Sequence, residues 1–289
     1  MVSGQTSARY LIALLVAGSE VSTGITILTY STRKGKVATS LIAGTLCPLS
    51  TGDCPVINLA TRYPKLAARY VKHRTKVEAL HRFLTEVMRD KRRRSKLYAF
   101  VDGSDVMWAG CGWNRTVLPH TLLRKIEQRV EGLMAASNSS IIFGAELGNP
   151  FHLEVPSMPE WARRRCPSLR GYIQPGYGWY GLLNAGMSAF RAESMVDLLA
   201  FTLYHFDLGN FTYGTETNDQ PPYHMYWLAH RPTVAIDYCM ELFTNIFAME
   251  QARTSKMRRF TGIEAFGITD GSVMIKRTGG ESRWREAKT

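Results

Sequence analysis

The stretch LYAFVDGSDVMWAG, Leu97 to Gly110, runs from an apolar segment into two aspartates, Asp102 and Asp105, separated only by Gly103 and Ser104. Small residues between them allow a tight turn, so both carboxylates can converge on one hard cation. A divalent cation held this way is the usual bridge to a diphosphate. The same spacing also arises where aspartates cap a helix or sit in an exposed turn. The element in front of the pair bears on which reading holds. LYAFV reads as a buried strand, and open α/β sheets place ligands outside the carboxyl ends of their strands.

The surrounding elements fit that frame. GITILTYS (Gly24 to Ser31) is rich in β-branched residues and turns through TRKGK into the helix-like pattern VATSLIAGTL; CPVINLAT is a second short strand after a turn. From Tyr63 to Met88, Leu66, Tyr70, Val77, Leu80, Phe83, Leu84 and Val87 recur at steps of three and four, which predicts one long or broken amphipathic helix ended by RDKRRRSK. A helix is predicted over Thr121 to Met134, a strand at SIIFGAE, a helix at AESMVDLLAFTLYHF, and a further helix starting near Gln220. Strands alternating with helices build a mostly parallel sheet flanked by helices on both faces, so the expected fold class is α/β. Between residues 148 and 181 the periodicity breaks. Pro150, Pro156, Pro159, Pro167 and Pro175 are interleaved there with Trp161, Tyr172, Tyr177, Trp179 and Tyr180. Linkers rarely carry so many large aromatics, so this segment reads as an irregular loop region near a ligand site, although loop aromatics also pack core edges.

The chain has 289 residues, 45% hydrophobic and 11% aromatic, with a formal charge of +12. That is the composition of a packed globular protein, not of a disordered chain. The basic residues fall in separate clusters, Lys91 to Arg94, Arg163 to Arg165 and Lys256 to Arg259, with acidic residues between them. Such clusters read as solvated faces or as contacts to a phosphate-bearing ligand. No RNA- or DNA-binding signature accompanies them, so a nucleic-acid partner is not expected. MVSGQTSAR followed by the uncharged YLIALLVAG and the small residues of VAGSE reads as a secretory signal peptide over residues 1–19, the alternative being a buried first strand. Residues 20–289 then form a single catalytic domain. Three N-x-S/T sequons, at Asn114, Asn138 and Asn210, fit a protein of the endoplasmic reticulum or Golgi lumen, or a secreted one. Cys47 and Cys54 bracket a loop that a local disulfide could close, and they could equally be two buried thiols.

Four segments in order, KLYAFVDGSDVMWAG, IIFGAE (Ile141 to Glu146), LLNAGMSAFRAESMVDLL (Leu182 to Leu199) and NDQPPYHMYWL with AIDYCMELFTN, resemble the glycosyltransferase domain of the procollagen lysyl hydroxylases. The resemblance covers most of Gly24 to Asn245 and is clearest after Leu97. It implies a glycosyltransferase A-type nucleotide-sugar-binding fold and transfer of a hexose, glucose or galactose, from a UDP-sugar. The acceptor it implies is a protein or glycan, hydroxylysine of collagen-like sequences among them. It also assigns residues. Asp102 and Asp105 would hold Mn2+ on the diphosphate. Lys76, on the helix before that strand, would bind the donor. LNAGM would place Asn184 and Gly186 at the donor sugar, and TNDQ would place Asp219 and Gln220 there. The chemistry is intelligible in its own right, because a cation and a lysine offset the charge that develops on a pyrophosphate leaving group. An Asn and a carboxylate can hydrogen-bond sugar hydroxyls.

The sequence departs from the family at several points: Met187 replaces the second glycine of the family's L-N-S-G-G element, and Thr217 and Asn218 stand where aspartates precede Asp219. An aromatic residue that stacks on uracil is replaced by Ser104, and the histidine of a C-terminal H-x-N-G element that supplies a third metal ligand is replaced by Lys276. A charged ammonium cannot ligate a cation, so either the correspondence slips at this end, or the metal keeps only two protein ligands, or Lys276 and Arg277 neutralise the diphosphate directly without metal; His224 and His230 are candidate substitute ligands. The alternative to an active transferase is a pseudoenzyme that binds a nucleotide-sugar or glycan without turnover.

Overall fold

The computed structural model describes residues 25–32, 56–102, 106–108, 119–146, 157–165, 182–213, 216–239, 241–245 and 274–276. Its main sheet has six strands: β1 (Thr26–Tyr30), β2 (Val56–Asn58), β3 (Leu97–Asp102), β5 (Ile141–Glu146), β6 (Leu182–Arg191) and β9 (Val234–Asp237), in the spatial order β2-β1-β3-β6-β5-β9. The pairings β1/β2, β1/β3 and β5/β9 are parallel, and β6 runs antiparallel to both of its neighbours. The fold is thus α/β with a mostly parallel sheet.

Helices cover both faces, and the period-two alternation of β3 decides what each face meets. Tyr98 and Phe100 pack in one apolar cluster with Leu80, Phe83, Leu84 and Val87 of α3 (Lys72–Met88), Leu198 and Leu199 of α7 (Ala192–Asp207), and Tyr223 and Tyr226 of α8 (Gln220–Ala229). Leu97, Ala99 and Val101 pack on the other face with Ile126, Val130 and Leu133 of α5 (Pro119–Ser137). The parity of β3 therefore sends Asp102 to the face that α3 covers.

The helical pattern over Tyr63 to Met88 resolves into α2 (Pro64–Ala68) and α3, preceded by the single turn α1 (Leu59–Arg62). The break falls at residues 69–71. Val71 N donates to Thr75 Oγ1 at 2.7 Å there, and Lys72 takes a left-handed φ of 32°. The basic run forms the exposed turn α4 (Lys91–Arg94), N-capped by Asp90. Within the proline-rich region, α6 (Glu160–Arg165) is a short helix. Its Arg163 and Arg164 pair with Glu160, and its Arg165 pairs with Glu241. Ion pairs and solvent thus account for these two basic clusters. Tyr172, Tyr177, Trp179 and Tyr180, the predicted signal peptide over residues 1–19, the segment from Cys47 to Cys54, Asn114 and Lys256 to Arg259 lie outside the described residues.

A smaller sheet is built from β4 (Val106–Trp108), β10 (Phe243–Asn245) and β11 (Met274–Lys276), in the order β10-β11-β4. Its register makes Lys276 the Cα partner of Val106, the residue after Asp105.

Candidate functional site

The site begins with a lysine where a helix should be apolar. Lys76, Leu80, Phe83 and Val87 follow one another on α3 at steps of four, three and four, and all are buried, so Lys76 occupies the core-facing stripe and not the solvated face. Such a charge must be paired. Its Nζ lies 3.2 Å from Asp102 Oδ1 and forms an ion pair at 2.7 Å with Asp219 Oδ2. The Asp219 side chain is 2% exposed and that of Asp102 is 19% exposed. Burial alone would discharge Lys76, yet the two carboxylates prevail and hold its pKa above the ordinary range. For Asp219, burial pushes the other way too, and Lys76 with His73 keeps its carboxyl well below the usual range. Lys76 and Asp219 are therefore both ionised near neutrality.

The positions come from three distant elements: the first turns of α3, the carboxyl end of β3 and the residue that starts α8. Asp219 stands at the N-cap of α8 but makes no capping hydrogen bond with its side chain. Asn218 Oδ1 accepts from Gln220 N at 3.1 Å instead. The capped-turn explanation of Asp219 thus falls to Asn218, and the Asp219 carboxylate is committed to Lys76 and to His73, whose Nδ1 is 2.9 Å from Asp219 Oδ1. Tyr223, one turn into α8, is buried beside both carboxylates. Burial and then the charges of Asp219 and Asp102 raise its phenol well above its usual value.

Asn184 and Gly186 lie on β6 where its pairing with β5 slips. Phe143 pairs with Ser188 and Gly144 with Asn184, leaving Ala185, Gly186 and Met187 without partners on β5. Asn184 Oδ1 accepts from Gly186 N at 2.9 Å, pinning this bulge from inside, and Asn184 is fully buried. Gly144 faces the bulge. A Cβ there would meet Met187 Cε at 3.0 Å and Phe243 Cβ at 3.1 Å, so the close approach needs glycine. The row continues from Gly144 to its partner Asp237 on β9.

Asp237 is a buried carboxylate that ties β9 to the small sheet. Its Oδ1 accepts from Glu241 N at 3.0 Å and its Oδ2 from Leu242 N at 2.7 Å and Phe243 N at 2.9 Å. Burial pushes its pKa up to about 6, against the three amide donors that favour the charged form. The folded state then binds the extra proton, so this group's stabilisation is complete below about pH 4 and is lost as pH rises through about 6. Urea unfolding from pH 4 to pH 7 should show stability falling by up to about 3 kcal/mol from this group, and Asp237→Asn should remove that slope.

At the end of β1, Tyr30 is the Cα partner of Asp102. Among the described residues the Tyr30 hydroxyl is buried without a hydrogen-bond partner, and burial raises its pKa to about 12. Its ring lies parallel to that of Tyr70, 54% exposed, with centroids 6.4 Å apart.

Of the residues the motifs single out, Lys76, Asp102 and Asp219 come together directly. Asn184 and Gly186 form one bulge on β6, Gln220 opens α8, and β11 brings the backbone of Lys276 beside Val106. Asp105 and Ser104 lie outside the described residues. Among the described residues no cluster of three or more His, Cys, Asp or Glu side chains could hold a metal ion. Asp102 contributes one hard oxygen donor to any such set. His224 is fully buried, and His230 stacks on Tyr226 at 4.0 Å between centroids. His73 and Tyr223 were not singled out. The signal for His73 was its position three residues before Lys76, which puts both on one helix face.

No known protein family matches the chain, and no curated relative does. Among solved structures, the chain is similar to a glycosyltransferase involved in the glycosylation of the major capsid of PBCV-1, at 10% identity and a TM-score of 0.41, over 88% of this chain and 93% of that one. It is also similar to mouse xyloside xylosyltransferase 1 in its apo form, at 10% identity and a TM-score of 0.41, over 87% of this chain and 97% of that one.

Proposed function

We propose that this chain is a glycosyltransferase of the A-type fold that transfers a hexose from a UDP-sugar to a protein or glycan acceptor. The observation that carries the reading is the convergence of Lys76, Asp102 and Asp219 at the carboxyl end of β3. These are the positions to which the resemblance assigns donor phosphate, cation and sugar, and they lie far apart in sequence.

In this reading Asp102, with Asp105 after it, holds a divalent cation. Mn2+ bound there would offset the charge that develops on the diphosphate as the glycosidic bond breaks. Lys76 supplies a fixed positive charge in a site shielded from water, where such charges act with little reorganisation. Asp219 holds that ammonium in place, and the strand pairing through Val106 brings Lys276 to the same end of the molecule. The pinned bulge at Asn184 and Gly186 shapes the sugar end. Tyr70, backed by the buried Tyr30, supplies the aromatic surface for the uracil that Ser104 does not. Asn138 and Asn210 of the sequons are exposed, and Cys239 is disulfide-bonded. Both features support a lumenal or secreted location, since disulfides persist in oxidising compartments.

The test is calorimetric titration of UDP with and without Mn2+, paired with turnover of UDP-glucose and UDP-galactose by the wild type and Asp102→Asn. Turnover lost on removing either the metal or the carboxylate supports the transferase. UDP binding without turnover identifies the nucleotide-sugar-binding pseudoenzyme, and absence of UDP binding sinks both.

A further inference from the structure

The pairing of His73 with Asp219 does more than neutralise a carboxylate. Asp219 is 2% exposed, and its oxygens face Lys76 Nζ and His73 Nδ1 at 2.7 and 2.9 Å, so it is closed off as a proton acceptor for substrate. The His73 side chain is 44% exposed. An ionised carboxylate only accepts hydrogen bonds, so Nδ1 carries a proton and, in the neutral ring, Nε2 presents the lone pair. A buried carboxylate that fixes an imidazole by one nitrogen and leaves the other for chemistry is the orienting half of a catalytic triad. The charges around the ring are Asp219 from the start of α8, Lys76 from its own helix and, beyond Lys76, Asp102 from the end of β3.

Resting on the transferase reading above, we propose that His73 is the catalytic base, with Asp219 as its positioning residue. Nε2 takes the proton of the acceptor hydroxyl as that oxygen bonds to the anomeric carbon. The bond from that carbon to the diphosphate oxygen breaks, and its electron pair leaves on the nucleoside diphosphate. The imidazolium is held beside Asp219 until it returns the proton to solvent. Of the other histidines, His224 is fully buried, and His205 and His230 sit in aromatic clusters on α7 and at the end of α8.

His73→Asn separates this role from a structural one. An Asn side chain can keep an N–H donor toward Asp219 where Nδ1 stood, but it has no group at the place of Nε2. UDP affinity should be unchanged, while kcat for hydrolysis of UDP-glucose or UDP-galactose, with water as acceptor, falls about 10²–10⁴-fold. Imidazole should restore part of the activity of His73→Gly. On the wild type, 15N spectra of the His73 ring should show Nδ1 protonated and Nε2 bare. Full turnover by His73→Asn overturns the base assignment alone, as does a ring protonated on Nε2. A wild type that binds UDP but turns over neither donor also overturns it and leaves donor binding standing. A wild type that does not bind UDP overturns the assignment and the transferase reading together.

Discussion

Lys76→Met should destabilise the fold by about 3–5 kcal/mol, the cost of leaving a buried ionic partner uncompensated. Asp219 is nearly inaccessible and would then face Asp102 with no cation between them. For a chain of this size the loss corresponds to a fall in Tm on the order of 10 °C, which differential scanning calorimetry would read. The pH dependence carries a definite sign. Asp219's folded pKa is depressed, so its contribution is present above its unfolded value near about 4 and is lost as pH falls through the lower folded value. Lys76's folded pKa is raised, so its contribution is complete below about 10.5 and is lost only as pH rises through the higher folded value. The gap between wild type and Lys76→Met should therefore be full from neutral pH to about pH 10 and narrow toward acid, where the uncompensated carboxylates of the variant take up protons first. A gap that does not change down to strongly acid pH would show that packing of the lysine stem, and not its charge, is what the substitution removes. The same variant should lose UDP affinity, because its site keeps two carboxylates and no fixed cation to meet a diphosphate.

The route from sequence to this site was open at some positions and closed at others for physical reasons. The strand before Asp102 is legible because an apolar pentad with β-branched and aromatic residues fits a buried strand. Once it is a strand, parity alone puts Asp102 on the face that holds Phe100. Lys76 is legible to its helix, but its direction is not. Its spacing from Leu80 and Phe83 places it on the buried stripe, while a lysine by type belongs on the wet one, and only the two carboxylates settle which rule yields. Those carboxylates could not be paired from sequence, since Asp102 and Asp219 meet through a fold and not through a spacing. The antiparallel direction of β6 was hidden for a different reason. LLNAGMSAF is buried on both faces, so it shows no alternation, and a strand buried on both faces reads alike in either direction. Its bulge was equally hidden, although an Asn two residues before a Gly is the local signal for a side chain that folds back onto the backbone.

Asp219→Asn should abolish turnover while costing less stability than Lys76→Met, because the amide stays hydrogen-bonding while the charge disappears. Two effects combine in the loss of turnover. Lys76 keeps only Asp102, which is more exposed and holds it less firmly. His73 meets an amide that can donate to Nδ1, which would move the ring proton to Nε2 and fill the lone pair needed for catalysis. The double variant, Lys76→Met with Asp219→Asn, tests whether stability and function separate. It removes both deeply buried charges together, and replacing a buried ion pair as a unit is often neutral where breaking it is costly. Its destabilisation, from urea unfolding, should fall short of the sum of the two single losses by about 1–3 kcal/mol, the coupling expected of groups in direct contact. Its turnover should stay as low as that of either single variant. Strict additivity of the stabilities would mean that Lys76 and Asp219 do not act as a pair. Recovery of turnover along with stability would mean that the triad only holds α3, β3 and α8 together and takes no part in the chemistry.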